Sequence, residues 1–207
     1  KPPVLKISHI LSPAPAEGRR PAVVVVQNTL DADAASEALR TAGHDVALTV
    51  MSGRGQDDER RYTGNWMNNT RAWLVGRNLP ATHAAEINAV VDELAHRSDV
   101  DPARITVRAT GLAGIPAPLA AAANPRISSI VLMRTPHSVR AAIDSPIHIN
   151  LHDAVIPGFA VKWDLSDLRD LLRPRKVEWR DPTDWMGNVV ALGDGYTYSS
   201  SDPNVSQ

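Results

Sequence analysis

Cysteine is absent from this chain of 207 residues, phenylalanine occurs once, and aromatic residues make up 4%. Neither a disulfide nor a thiolate can contribute, and such a chain suits the cytoplasm and a periplasmic or secreted setting equally. Charge of one sign is lacking too: 22 Lys and Arg oppose 23 Asp and Glu, for a net −1. That balance makes no electrostatic case for nucleic acid or an anionic membrane as a partner. No apolar run approaches the ~20 residues of a membrane-spanning helix. Lys1-Pro2-Pro3 carries neither an initiator Met nor a signal peptide, so the numbering is expected to begin inside a longer precursor.

What the chain does have is a hydrophobic share of 43%, enough at this length for one domain with a full core. Strand and helix patterns alternate. Val4 to Leu11 reads as a strand entering the fold, antiparallel or at an edge, and Ala22 to Val26 as a strand buried on both faces. Asp31 or Asp33 can cap a helix running to about Thr41, which Gly43 ends, and Asp45 to Met51 is the next strand. A turn at Ser52-Gly53-Arg54-Gly55 and a polar loop from Gln56 to Asn69 follow. His83 to Arg97 places Ile87, Val90, Val91 and Leu94 on one helical face. Strands at Ile105, at Ile127 to Met133 and at Val177 to Trp179 complete the pattern, with Ile105 to Val107 and Ile130 to Leu132 expected to be buried on both faces. Such alternation predicts a mainly parallel, twisted sheet with helices on both faces, a three-layer α/β sandwich. The expected organisation is one domain over residues 1–198 and a flexible tail over 199–207.

The most informative stretch is residues 104–123, RITVRATGLAGIPAPLAAAA: a β-branched strand, a turn of small residues and an Ala-rich helix. Ala109, Gly111, Ala113 and Gly114 keep the turn small, and Pro116 suits a first helical turn, where its missing N–H costs nothing. Taken locally, this is what any strand-to-helix turn requires. A Gly111-x-x-Gly114 turn could also offer N–H groups to a phosphate, but it lacks Gly-x-Gly-x-x-Gly and the P-loop Lys.

Longer blocks are more specific. NTRAWLVGRNLPATHAAEINAVVDELAHRSDVDPARITV holds an Arg-x-x-Leu-x-Gly-x-x-Leu segment, a helix bearing Asp-x-Leu, and Asp101-Pro102-Ala103-Arg104-Ile105. LAAAANPRISSIVLM, PAVVVVQNT, GHDVALTVMSGRGQ and RPRKVEWRDPTDWMG stand before and after it in a fixed order. Together, with the span Asn69 to Ile130 carrying the most specific part, they resemble the acetyl xylan esterase-like group of the α/β-hydrolase superfamily. The resemblance implies that the turn at 111 is a nucleophile elbow, written Gly-x-Ser-x-Gly in active members. Carried over residue by residue, the nucleophile position falls on Gly111, which has no side chain to attack an ester. Thr110 is no substitute, because Arg108 and Leu112 would then flank it where an elbow needs small residues. The acid position falls on Asp184, with Asp181 as the nearby alternative, although Asp181-Pro182-x-Asp184 is also an ordinary turn with a cap. The base should be a His on a later loop, and no His follows Asp184. Gln27-Asn28-Thr29 stands where relatives often show His-Gly at the oxyanion site. The family resemblance implies no cofactor and favours a periplasmic or secreted location.

Other groups have plainer readings. His148 and His152, with Asp153, could ligate a metal from one helical face, but Pro146 and Pro157 argue against a long helix there. His83 and His96 read as structural, and His137 beside Ser138 lies near the expected mouth of a site. Trp66, Trp73, Trp163, Trp179 and Trp185 could stack on sugars, though single Trp residues more often pack. Asp57, Asp58 and Glu59 beside Arg60 and Arg61 read as a solvated loop.

Three functions stay open, in this order. The first is a catalytically silent hydrolase-like domain, a structural or accessory partner of an active hydrolase domain on the same or another chain. The second is an active carbohydrate ester hydrolase whose missing groups come from elsewhere. The third is a polysaccharide-binding module.

Overall fold

The computed structural model describes residues 8–15, 17–27, 33–51, 66–148 and 151–201. Among these, seven strands form one sheet: β1 (Ser8–Ser12), β2 (Arg20–Gln27), β3 (Asp45–Val50), β4 (Val100–Thr110), β5 (Ile127–Met133), β6 (Lys176–Arg180) and β7 (Thr197–Ser199). Their order across the sheet is β1-β3-β2-β4-β5-β6-β7. Strand β1 pairs antiparallel with β3 at one edge, and the other neighbours run parallel. Seven α-helices occur among the described residues: α1 (Ala34–Thr41), α2 (Trp66–Leu74), α3 (Leu79–Ala95), α4 (Pro116–Ala123), α5 (Ala141–Asp144), α6 (Phe159–Lys162) and α7 (Leu165–Leu171).

The continuous Val run explains the centre of the sheet. Every residue from Ala22 to Val26 is at most 3% exposed, because β2 lies between β3 and β4 with side chains entering a core on each face. On one face Ala22, Val24 and Val26 pack with Ile87, Val90, Val91 and Leu94 of α3, with the alanines of α4, and with Leu165 and Leu168 of α7. Burying an Ile, Val or Leu side chain there contributes ~1.5–3 kcal/mol. On the other face Val23, Val25, Val46 and Leu48 pack under Leu39 of α1. Asp33 starts that helix, its side chain accepting from the Ser36 amide at 2.7 Å.

The strands beyond β2 depart from the expectation of burial on both faces. Thr106 and Val131 are only half-buried, between fully buried neighbours on β4 and β5. Leu39 of α1 packs against the β2 and β3 cluster, and on the same face of β4 and β5 the Thr106 and Ser129 hydroxyls pair 2.8 Å apart.

Some boundaries move as well. Residues 66–69, expected in a loop, form the first turn of α2, while the remainder of that loop and the turn at 52–55 lie outside the described residues. Helix α3 starts earlier than His83, because Asn78 caps it by accepting from the Ala81 amide. Ser199, expected to open the tail, instead ends β7 opposite Arg180. Ser201 donates from its backbone and hydroxyl to Asp181, and residues 202–207 lie outside the described set.

Candidate functional site

Strand register brings the predicted positions to one edge of the sheet. Thr110, Met133 and Arg180 are aligned at the C-terminal ends of β4, β5 and β6, so the segments that follow them open on the same side. Thr110 keeps extended geometry, and Gly111 turns the chain with φ +61 into a short 3-10 turn over Gly111–Gly114. Helix α4 follows at once, with Pro116 in its first turn. Such a left-handed turn suits glycine, since a Cβ there is strained.

The two glycines of this turn have different reasons to be small. A Cβ built on Gly111 would meet nothing within 4 Å, so the turn presents its apex to open space. A Cβ on Gly114 would stand 2.1 Å from Thr135 Oγ1. Ala109 and Ala113 are 0% exposed. The result is a crowded turn with a vacant outward apex, at the place where the family resemblance sets the nucleophile.

Asp184 follows β6 at the same edge, but its carboxylate is occupied locally. Oδ1 accepts from the amides of Met186 and Asn188 at 2.8 and 2.9 Å, and Oδ2 from the Asn188 side chain at 2.9 Å. Partial burial pushes its carboxyl upward, and the bonds from Asn188, Met186 and Gly187 together outweigh that, holding it below the usual carboxylate range. Asp181, the alternative acid, has φ +49 and spends Oδ1 on the Ser201 amide and hydroxyl.

No histidine ring hydrogen-bonds Asp184 among the described residues. His137 comes nearest along the chain: its amide donates to the Thr183 carbonyl and its Nδ1 lies 3.2 Å from the same oxygen. The ring is thus tied to the backbone one residue short of the acid. His148 Nε2 contacts the Ala142 carbonyl, and His152 lies in a 3-10 turn whose backbone carbonyl accepts from Asn69. No cluster of three or more His, Asp or Glu side chains suited to a metal occurs among the described residues. His83 is buried on α3 and His96 forms the cap of that helix.

Gln27 ends β2 on this same edge, while Asn28 and Thr29 lie outside the described residues, as do Asp57, Asp58, Glu59, Arg60 and Arg61. The tryptophans divide by role. Trp179 and Trp185 are core groups, the latter donating to the Ser138 carbonyl at 2.8 Å. Trp66 and Trp163 are 44% and 46% exposed.

Several positioning residues were not singled out from the sequence. Asn69 is fully buried, donating to the His152 and Val155 carbonyls and accepting from the Leu79 amide. Asp164 accepts from Ser138 Oγ and from the Val139 and Leu165 amides, so it ties the loop after β5 to the start of α7. The signal for Asp164 was present: Asp164-Leu-Ser-Asp167 is a capping box, with both reciprocal bonds formed. Nothing local distinguishes Asn69, whose partners lie 10 to 86 residues away.

No family model matches the chain, and comparison with curated proteins finds no match. Solved structures do match. An acetyl xylan esterase-like protein from Bacteroides fragilis superposes with TM-score 0.67 at 12% identity, over 84% of this chain and 55% of its own. A glucuronoyl esterase from Solibacter usitatus gives TM-score 0.58 at 14% identity, over 84% and 58%. A glucuronoyl esterase from Teredinibacter turnerae gives 0.55 at 16%, over 88% and 54%. The chain thus spans little more than half the length of these relatives. Its strand order and these superpositions agree: the chain has the α/β fold that these solved structures share.

Proposed function

We propose that this chain is a catalytically silent α/β-hydrolase-like domain that acts as a structural or accessory partner of an active hydrolase domain on the same or another chain. The observation that carries this reading is Gly111, which occupies a left-handed turn between β4 and α4 and contributes no nucleophile. Ser-His-Asp chemistry needs the attacking oxygen, a base to take its proton, and an acid to orient that base. The position of the first is a glycine, and Asp184 is bonded within its own loop rather than to an imidazole. A fold can outlast its chemistry, because core packing and site geometry are separate demands.

The test is hydrolysis of p-nitrophenyl acetate and of acetylated xylan by the purified chain beside its Asp184→Ala variant. Background rates for both support the proposal. Robust turnover that Asp184→Ala abolishes would establish the esterase reading in its place. The exposure of Trp66 and Trp163 favours a second reading, a polysaccharide-binding module. Retention on insoluble xylan that is lost in Trp66→Ala and Trp163→Ala, without turnover, selects that reading.

A further inference from the structure

The opposite edge of the sheet carries an unexplained concentration of positive charge. Between the end of α7 and the starts of β6 and β7 lies a cavity of ≈ 470 Å³, whose walls include Arg169, Arg173, Pro174, Arg175, Lys176 and Tyr196. Its volume falls in the range of small-molecule sites. Gly111 and Asp184 follow the C-terminal ends of their strands, whereas this cavity sits where β6 and β7 begin, so the two places are separate.

Four cations line this cavity, and two carboxylates answer them. Asp170 is shared by Arg169 and Arg173, at 2.9 and 3.1 Å. Glu178 pairs with Lys176 at 2.8 Å and is shared with Arg180, which lies outside the cavity. Both acids are held below the usual carboxylate range, Asp170 chiefly by its bond from Arg169 and Glu178 chiefly by its bond from Lys176. They are ionised at neutral pH, and positive charge remains in excess.

Two of the cations are fixed in place before any ligand arrives. The Arg169 guanidinium carbon lies 4.2 Å over the ring of Tyr196, which itself stands edge-on to Trp179. Arg175 Nη1 donates to the carbonyls of Ala121, Asn124 and Ile127, at the end of α4. An anchored guanidinium loses little freedom when it binds and keeps further donors for a second partner. The four cations surround one concavity that has an apolar wall of Pro174, Val177 and Tyr196.

We propose that this cavity binds an oxyanion, a carboxylate, sulfate or phosphate group, received by Arg173, Arg175 and Lys176 with any attached carbon skeleton against Pro174 and Tyr196. Charge-assisted bonds from planar guanidinium forks are the recognition chemistry. The proposal does not depend on whether the Gly111 edge is active.

The test is calorimetric titration of the full chain at low salt. Inorganic phosphate and sulfate represent the free anion, trigalacturonate represents a sugar-borne carboxylate, and neutral xylotriose is the control. Saturable binding of at least one anion, weakened by added salt, is expected. Arg173 and Lys176 have side chains 69% and 60% exposed, so Arg173→Ser and Lys176→Ser should fold normally. Each should weaken binding by about three- to fivefold, as expected for an exposed ion pair. Arg175→Gln should weaken it further, with circular dichroism verifying its fold. Binding of phosphate or sulfate equal to trigalacturonate assigns the site to a free anion, and trigalacturonate alone assigns it to an acidic sugar. No saturable binding, equal binding of xylotriose, or binding unchanged in the Arg173 and Lys176 variants overturns the proposal.

Discussion

Gly114 lies directly against Thr135: a Cβ at position 114 would stand 2.1 Å from the Thr135 hydroxyl oxygen, 2.6 Å from its methyl and 2.9 Å from its Cβ. Rotating Thr135 cannot relieve all three contacts, because its own Cβ is among them. This approach lets the turn after β4 nest against the loop leaving β5, and it is independent of any catalytic residue at 111.

Gly114→Ala should therefore destabilise the chain by about 1–3 kcal/mol, the usual cost of overpacking. In thermal unfolding that is a fall of roughly 2–4 °C in Tm per kcal/mol for a domain of this size. Adding Thr135→Ala should recover only part of the loss. A Tm unchanged by Gly114→Ala would show that the turn is looser than described.

Gly111 behaves differently, since its apex is open and its backbone is left-handed. Gly111→Ser should fold with a loss of roughly 1–2 kcal/mol from the positive φ alone. It should not create esterase activity, because no imidazole hydrogen-bonds Asp184 among the described residues. Colorimetric assay of p-nitrophenyl acetate checks this, and turnover well above the wild type would refute it.

Asn69→Ala should destabilise the chain through lost hydrogen bonds rather than through overpacking. It removes the donor to two carbonyls and the acceptor of the Leu79 amide in a fully buried site. Leaving such groups unsatisfied costs about 1–3 kcal/mol, and the loss should appear in urea unfolding as a lower midpoint with an unchanged slope.

The Asp184 carboxylate carries a pH signature. Its folded pKa is depressed, so its contribution to stability is complete above the ordinary carboxylate range and is lost as pH falls through the folded value. Asp184→Asn should lower Tm slightly at pH 7, and the difference from wild type should shrink below about pH 4. A constant difference down to pH 2 would mean that the carboxylate's charge does not hold the loop.

Much of the fold was legible because its signals are local. The buried Val run of β2, the Asp33 cap, the α3 stripe of Ile87, Val90, Val91 and Leu94, and the small residues around Gly111 all act within a few positions of themselves. The amino-acid identities also settle, without coordinates, that position 111 has no nucleophilic side chain and that no histidine lies between Asp184 and Gln207.

Only the tertiary structure decided the rest. Whether Thr106 and Val131 are fully buried depends on what packs over β4 and β5, which no period along those strands records. That Asp184 bonds within its own loop, while His137 turns to the Thr183 carbonyl, follows from how the segments after β5 and β6 pair. The cavity of Arg169, Arg175 and Tyr196 unites α7, the start of β6 and the start of β7. Periodicity and capping are properties of neighbours along the chain. Convergence depends on strand order and register, which bring side chains together across separations that local sequence does not encode.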